Sequence, residues 1–291
     1  MRTEDTTVIS KLGNRKVFVK SPLGWVIWGS VGFFFINLLG VIGTVVISSF
    51  ATEWFDGWLP SGWTTKFYLT AWQDYQVPNL LRATLKVALS VVTISILVGT
   101  PAAYVLARRD FPGKKILMLS FLLPIMLPPI TYGIPLATFI YSLNLGGTLT
   151  GVIIVNTVPA IPFVILVLSP FIEQIDPKIE AAARMCGATT RQIFIKVLTP
   201  LIIPGLLAAA LLVLIQTVAL FELTYLVSGP GSNTLVVALY YAVFASGIRP
   251  YQAISAMAVF YMLTTFFILI VALRYVNPTQ MVSQARSVDS K

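Results

Sequence analysis

Few side chains in this 291-residue sequence are suited to acid–base or metal chemistry. The chain contains no histidine and one cysteine, Cys186, so it offers no histidine general base, no internal disulfide and no cysteine-rich zinc site. It also lacks the Gly-x-x-x-x-Gly-Lys-Ser/Thr loop that binds nucleotide phosphates. We therefore expect a protein that is not an enzyme, with no catalytic residue, no metal and no cofactor bound by this chain.

The polar residues that stand out lie within apolar runs. Glu222 is the only carboxylate in such a run, and a charge at membrane depth is costly enough to mark a candidate functional site. Gln216 precedes it by six residues and falls on a different face of a helix. Together with Asn156 and Tyr132, these residues form the predicted substrate pathway. An equally open interpretation places Glu222 at the membrane surface, in contact with water.

A short surface helix is predicted farther back in the sequence. Asp176 followed by Pro177 is a typical helix start, and Gly187 suits a helix end. Glu180 and Arg184 lie four residues apart and are expected to pair on the exposed side. The small and apolar side chains are available to a partner's groove or to packing against the chain's own spans; they are Ile179, Ala182, Ala183 and Met185.

The composition indicates the environment of these residues. Apolar residues make up 57% of the chain and charged residues 11%, against about 45–50% and about 25% in soluble domains. The mean hydropathy is +0.85. A soluble single domain and a disordered chain are both excluded, and an integral membrane protein is predicted.

Six apolar runs are each long enough to cross a bilayer, which needs roughly 20 residues. We predict an all-α integral membrane protein with six transmembrane helices near 25–49, 84–107, 116–141, 151–172, 198–226 and 252–275. The third and fourth contain several prolines, which break helices and recur at transport pathways or at packing kinks.

The segment 51–79 between the first two spans holds four of the six tryptophans. Tryptophan favours the membrane interface, so this segment is predicted to lie along the outer surface, with a short helix near Phe67–Asp74. It forms either an interfacial belt or a lip that touches an extracytoplasmic partner.

The distribution of basic residues predicts the orientation. With the N-terminus in the cytoplasm, 16 of the 20 Lys and Arg residues lie inside. The segments 1–24 and 276–291 are then cytoplasmic. The first span is expected to be retained rather than cleaved, because residues 48–54 at its end lack a small-residue cleavage signature. This arrangement accounts for the net charge of +9 without a nucleic-acid partner.

The predicted surface helix and the residues after it resemble the EAA loop of binding-protein-dependent ABC importer permeases. The resemblance extends over about residues 80–275, and Pro200 follows Gly187 at the family's spacing of thirteen positions. The matching residues are Glu180-Ala181-Ala182-Ala183, Gly187-Ala188, Ile193-Phe194, Pro200 and Pro204-Gly205.

The resemblance implies a type I (MetI-like) importer fold in a multi-pass protein of the bacterial inner membrane. It also implies a second permease subunit, a periplasmic solute-binding protein, and a dimer of ATPase chains that hold the ATP and Mg. The permease domain would span 25–275, with the coupling loop at about 173–197. The implied ATPase-coupling residues are Glu180, Ala181, Ala182, Ala183, Arg184, Met185, Gly187 and Ala188.

Three positions depart from the family pattern, and one of them is Thr199, which stands in place of the leucine before the first proline. Counting back from Gly187, the family glutamate corresponds to Ala181, whereas Glu180 lies one residue earlier and about 100° around the helix. Cys186 stands where the family often has an acid. These departures favour contact by shape over contact by charge, through Ala182, Ala183 and Gly187.

The sequence leaves the solute open. The stretch 63–72 resembles spermidine/putrescine-type permeases, whereas 103–108 and 225–232 are similar to sugar-type permeases as well. We expect a polyamine-type solute, with a sugar or glycoside as the alternative. An alternative of another class is a proton-coupled or facilitative carrier in which Glu222 titrates.

Overall fold

The computed structural model describes residues 22–54, 57–244 and 250–275. Most of the predicted cytoplasmic segment 1–24, all of the predicted tail 276–291 and Arg249 lie outside the described residues. Every regular element in the described ranges is a helix, and the one strand-like contact there is an isolated bridge between Ala51 and Trp63.

Eleven helices follow one another in the described chain when Thr190–Ala219 is counted as one. They are α1 Pro22–Phe50, α2 Lys66–Asp74, α3 Val77–Arg108, α4 Lys114–Met126, α5 Pro129–Ser142, α6 Leu149–Glu173, α7 Pro177–Met185, α8 Thr190–Ala219, α9 Glu222–Val227, α10 Leu235–Phe244 and α11 Tyr251–Tyr275. Five of them, α1, α3, α6, α8 and α11, are each long and apolar enough to cross a membrane. The pair α4 and α5 supplies a sixth crossing if it is counted as one span. The all-α, six-span prediction is confirmed.

The third predicted span, 116–141, consists of two helices that meet at 97°. Leu127 takes an extended conformation with ψ 139°, because the residue before a proline is excluded from helical geometry. Pro128 then caps α5, and Pro129 occupies its first turn, where a missing N–H costs nothing.

The fifth predicted span, 198–226, is longer than the helix in the structure. Helix α8 ends at Ala219, Leu220 is extended with ψ 102°, and Glu222 begins the separate helix α9. Glu222 is therefore not inside a span but in the first turn of a six-residue helix. After the break, α9 packs against α5 and α6.

The most extensive helix–helix interface joins α3 and α6. Buried apolar side chains fill it, and a Cβ on Gly99 of α3 would lie 2.7 Å from the Val164 side chain of α6. Helix α3 is 32 residues long, so it connects two distant regions. We call the region around α7 the α7 end and the region around α2 and the start of α3 the α2 end.

A hydrogen-bonded clamp shapes the α2 end. The Gly147 N–H donates to the Val227 carbonyl at 2.8 Å. The Ser232 hydroxyl donates to the Gly147 carbonyl at 2.9 Å and accepts from the Gly229 N–H at 2.8 Å. A Cβ on Gly229 would lie 2.9 Å from Gly147 Cα. This close backbone approach positions the loop that leads into α10.

The clamp generates a stability prediction. Gly229→Ala is expected to lower the free energy of unfolding by about 1–3 kcal/mol, because the new methyl group meets backbone atoms that have little room to move. The matched control is Gly231→Ala, which meets no atom within 4 Å. Thermal unfolding of both variants in detergent micelles checks this, and equal melting temperatures would contradict the clamp.

Candidate functional site

The helix predicted from Asp176 and Gly187 is present as α7. The Asp176 carboxylate accepts from the Lys178 N–H at 2.9 Å, and Pro177 occupies the first turn. The helix ends at Met185, and Gly187 follows with φ +82°, a left-handed conformation that glycine adopts without strain.

Most of α7 faces outward. The Met185 side chain is 88% exposed and the Ile179 side chain 44% exposed, and Ala181 and Ala182 are exposed as well. Glu180 is the buried residue of this helix. Apart from Glu180, α7 thus keeps a small and apolar face available for a partner and does not bury it against the chain's own spans.

The Glu180 carboxylate makes a buried ion pair that the sequence did not predict. The Arg108 Nε donates to Glu180 Oε1 at 2.7 Å, and the Tyr104 hydroxyl donates to Oε2 at 2.8 Å. The expected pair of Glu180 with Arg184 on the exposed side is wrong. Helix α7 docks its Glu180 side against the end of α3, and a buried carboxylate needs a fixed partner, whereas Arg184 lies exposed.

The start of α8 packs against the same end of α3. Its first turns contain a π-helical stretch, Ile193–Leu198, where the Thr199 hydroxyl donates to the Phe194 carbonyl at 2.7 Å. Pro200 lacks the N–H that would continue the helical ladder there. The Phe194 ring packs edge-on against the Tyr104 ring, with centroids 5.5 Å apart. We call Tyr104, Arg108, Glu180 and Phe194 the α7-end network.

Three of the four predicted pathway residues meet around α9. The Asn156 side chain is buried and donates to Val152 O at 2.8 Å and to Thr224 Oγ1 at 3.1 Å. Glu222 is half-buried and acts electrostatically on Tyr132, whose hydroxyl is buried without a hydrogen-bond partner in the described chain. No hydrogen bond of the described residues joins Gln216 to the other three. Gln216 lies half-buried on α8.

An aromatic cluster next to Glu222 was missed by the sequence reasoning. Its members come from α9, from the residue before it and from α10; they are Phe221, Tyr225, Tyr240, Tyr241 and Phe244. The Phe221 and Tyr225 rings stack with centroids 5.1 Å apart, and four residues separate them in sequence. Burial, and then the neighbouring tyrosine hydroxyls, raise the pKa of Tyr241, so its phenol stays protonated and can donate.

A cavity of about 750 Å³ opens beside this cluster. It lies between α2, the start of α3, the loop after α9 and α10, and we call it the α2 cleft. Its polar lining residues are Asp74, Tyr75, Gln76, Asn79, Arg82, Lys86 and Asn233, and Tyr241 lines it from α10. In the described residues, no three histidine, cysteine or acidic side chains come together to form a metal site.

Comparison with known proteins identifies the class. Residues 95–281, more than half of the chain, match the family described as binding-protein-dependent transport system inner membrane component. The chain belongs to this family, the permeases of ABC importers, and is a multi-pass protein of the inner membrane. This confirms the resemblance carried by the residues around Gly187.

Several of the curated relatives are sugar or glycoside permeases by name, and others are named for molybdate or tungstate transport. The trehalose transport permease SugB of Mycobacterium tuberculosis is 36% identical over 157 residues, which cover 54% of this chain and 57% of SugB. The sulfoquinovosyl glycerol permease SmoH of Agrobacterium fabrum is 31% identical over 202 residues, which cover 68% of this chain and 70% of SmoH. The chain thus spans a little over half the length of SugB.

A solved structure confirms the fold. The chain is similar to a bacterial ABC transporter involved in import of the acidic polysaccharide alginate, with a TM-score of 0.72 and 20% identity. The match covers 87% of this chain and 95% of that one.

The buried ion pair generates a second stability prediction. Glu180→Gln leaves the Arg108 guanidinium buried without a countercharge, and breaking such a pair costs about 3–5 kcal/mol. The control is Asp110→Asn, which removes the pair between Lys114 and an almost fully exposed Asp110 and should cost at most about 1 kcal/mol. Thermal melts of the purified variants measure both effects. Equal losses would show that burial does not govern the Arg108–Glu180 pair.

Proposed function

We propose that this chain is the transmembrane permease subunit of an ATP-driven importer that takes a sugar or glycoside from a periplasmic binding protein into the cytoplasm. The observation that carries the proposal is α7, an exposed helix with a small and apolar face that is fixed to a membrane-spanning helix by the buried Glu180–Arg108 pair. The names of SugB and SmoH support a saccharide over a polyamine. The α2 cleft agrees, because it carries the cations Arg82 and Lys86 rather than a set of acids.

Charge supports an orientation with the α7 end in the cytoplasm. Nine of the twelve Lys and Arg residues in the described ranges lie at helix ends or turns of the α7 end. The other three, Lys66, Arg82 and Lys86, lie at the α2 end. The positive-inside rule then places the α2 end outside, where a binding protein delivers solute. Both termini are cytoplasmic in this arrangement.

The proposed mechanism uses α7 as the element with two positions. A pair of ATPase chains, which bind the ATP and Mg, holds α7 in a surface groove. Closure of that pair shifts α7, and the Arg108–Glu180 pair passes the shift to α3. The contact between Phe194 and Tyr104 ties α8 to the same movement. A second permease subunit completes the pathway, which opens outward with ATP bound and inward after hydrolysis.

The coupling role of α7 predicts the effect of surface substitutions. Ala182→Asp and Gly187→Asp are expected to lower ATP-driven uptake in proteoliposomes by roughly tenfold or more, because each places a desolvated charge in the ATPase contact. Gly187→Asp also places a side chain at φ +82°, so Ala182→Asp is the cleaner test of charge. Lys178→Gln on the same helix is the control and should retain uptake. Folding is checked by the melting temperature, since Ala182 is exposed and its substitution disturbs no core contact. Normal uptake in both aspartate variants would remove α7 from the coupling path.

The importer as a whole is tested by co-purification from the native membrane. The tagged chain should bring down an ATPase and a second permease, and in liposomes the complex should move a saccharide only with ATP and a binding protein. A chain that purifies alone and still moves solute would overturn the importer. Dependence of that movement on Glu222 would instead favour the secondary carrier.

A further inference from the structure

The α2 cleft has two chemically different walls. One wall belongs to α2 and the start of α3 and carries Asn79, Arg82 and Lys86. The other wall belongs to α10 and presents Tyr241. The volume of about 750 Å³ lies within the range of about 300–1,000 Å³ that is usual for small-molecule sites.

The Tyr241 ring is both exposed and held in place. It is 45% exposed, and its centroid lies 5.7 Å from that of Tyr225 and 6.0 Å from that of Tyr240. A fixed aromatic face suits a ligand with one apolar face and a polar edge. The C–H face of a pyranose ring, surrounded by hydroxyl groups, is such a ligand.

The opposite wall carries an excess of positive charge. Arg82 and Lys86 are four residues apart on one face of α3, and neither takes part in an ion pair within the described residues. Asp74 is the single acid among the described lining residues. Lys86 lies in the third turn of α3, and both Lys86 and Arg82 are exposed and so accessible to a ligand in the cleft. This wall favours an anionic group and disfavours a polycation.

Two further polar residues that line the cleft have unusual features. Gln76 has φ +52°, an unusual conformation for a residue with a side chain, and its Oε1 accepts from Asn79 Nδ2 at 3.1 Å. The Oδ1 of Asn233 is buried without a hydrogen-bond partner in the described chain. This acceptor has almost no accessible surface, so a ligand hydroxyl group reaches it only after the Asn233 side chain turns toward the cleft.

We propose that the α2 cleft is a saccharide-binding site that prefers sugars bearing a carboxylate or sulfonate group. The ring stacks on Tyr241, and the anionic group lies between Arg82 and Lys86. This inference rests on the proposed function and narrows its substrate class to acidic saccharides.

The test measures binding to the permease–ATPase complex in nanodiscs, without the soluble binding protein, which would bind the probes itself. Saturation-transfer NMR compares the binding of three probes, which are a uronic acid disaccharide (the diuronate), trehalose and spermidine. The wild type should bind the diuronate more tightly than trehalose and give no signal with spermidine. Tyr241→Ala should weaken diuronate binding about tenfold, as removal of an aromatic anchor does. Tyr251→Ala, an exposed tyrosine outside the cleft, is the control.

A second pair of substitutions tests the charge. Arg82→Gln with Lys86→Gln should bring diuronate binding down to the level of trehalose, whereas Lys66→Gln on α2 should have no effect. Unchanged diuronate binding in both cleft variants would overturn the proposal. The proposal would also be overturned if the double variant lost a co-purified anionic lipid but still bound the diuronate. Arg82 and Lys86 would then bind lipid headgroups at the membrane surface. Failure of ATP-driven uptake of every solute by the wild type would instead reject the importer itself, and that readout is independent of cleft binding.

Discussion

The buried pair between Arg108 and Glu180 is the interaction on which the α7 end depends. Two charges removed from water are tolerated only when their remaining hydrogen-bonding groups are also satisfied. Here Arg108 Nη2 donates to the Ile175 carbonyl at 2.8 Å, and Glu180 receives the Tyr104 hydroxyl. These bonds leave α7 one orientation, with Glu180 inward. The outward direction of Ile179 and Met185 follows from that constraint.

The breaks in the helices obey a related constraint, because a freed backbone group in a membrane needs a partner from the protein. At the π-helical start of α8, the Thr199 hydroxyl donates a hydrogen bond to the Phe194 carbonyl. At the end of α9, which follows the break after α8, the Val227 carbonyl accepts from the Gly147 N–H. Helix α3 connects the two regions that these breaks shape, since Arg108 anchors α7 at one end and Arg82 faces the α2 cleft near the other.

The sequence predicted the features that local chemistry determines. Apolar run length predicted the six crossings, and Asp176-Pro177 with Gly187 predicted the limits of α7. It could not predict the partner of Glu180, because Arg108 lies 72 residues away and helical spacing offered Arg184 instead. The end of α8 carries neither proline nor glycine, so the run appeared continuous. The aromatic cluster and the α2 cleft join elements distant in sequence, and only the fold brings them together.

The position of Glu180 also bears on how the proposed ATPase contact forms. In the family pattern a glutamate stands where this chain has Ala181, and Ala181 is exposed. The nearby carboxylate points instead into the chain, where Arg108 neutralises it. The outward surface of α7 near that point therefore combines alanines, Ile179 and Met185 with the exposed cations Lys178 and Arg184. A groove that fits it matches the alanines, Ile179 and Met185 by shape and apolar burial, since a charge opposite these side chains would lose its hydration without gaining a partner. An acid in the groove gains a partner only where it meets Lys178 or Arg184.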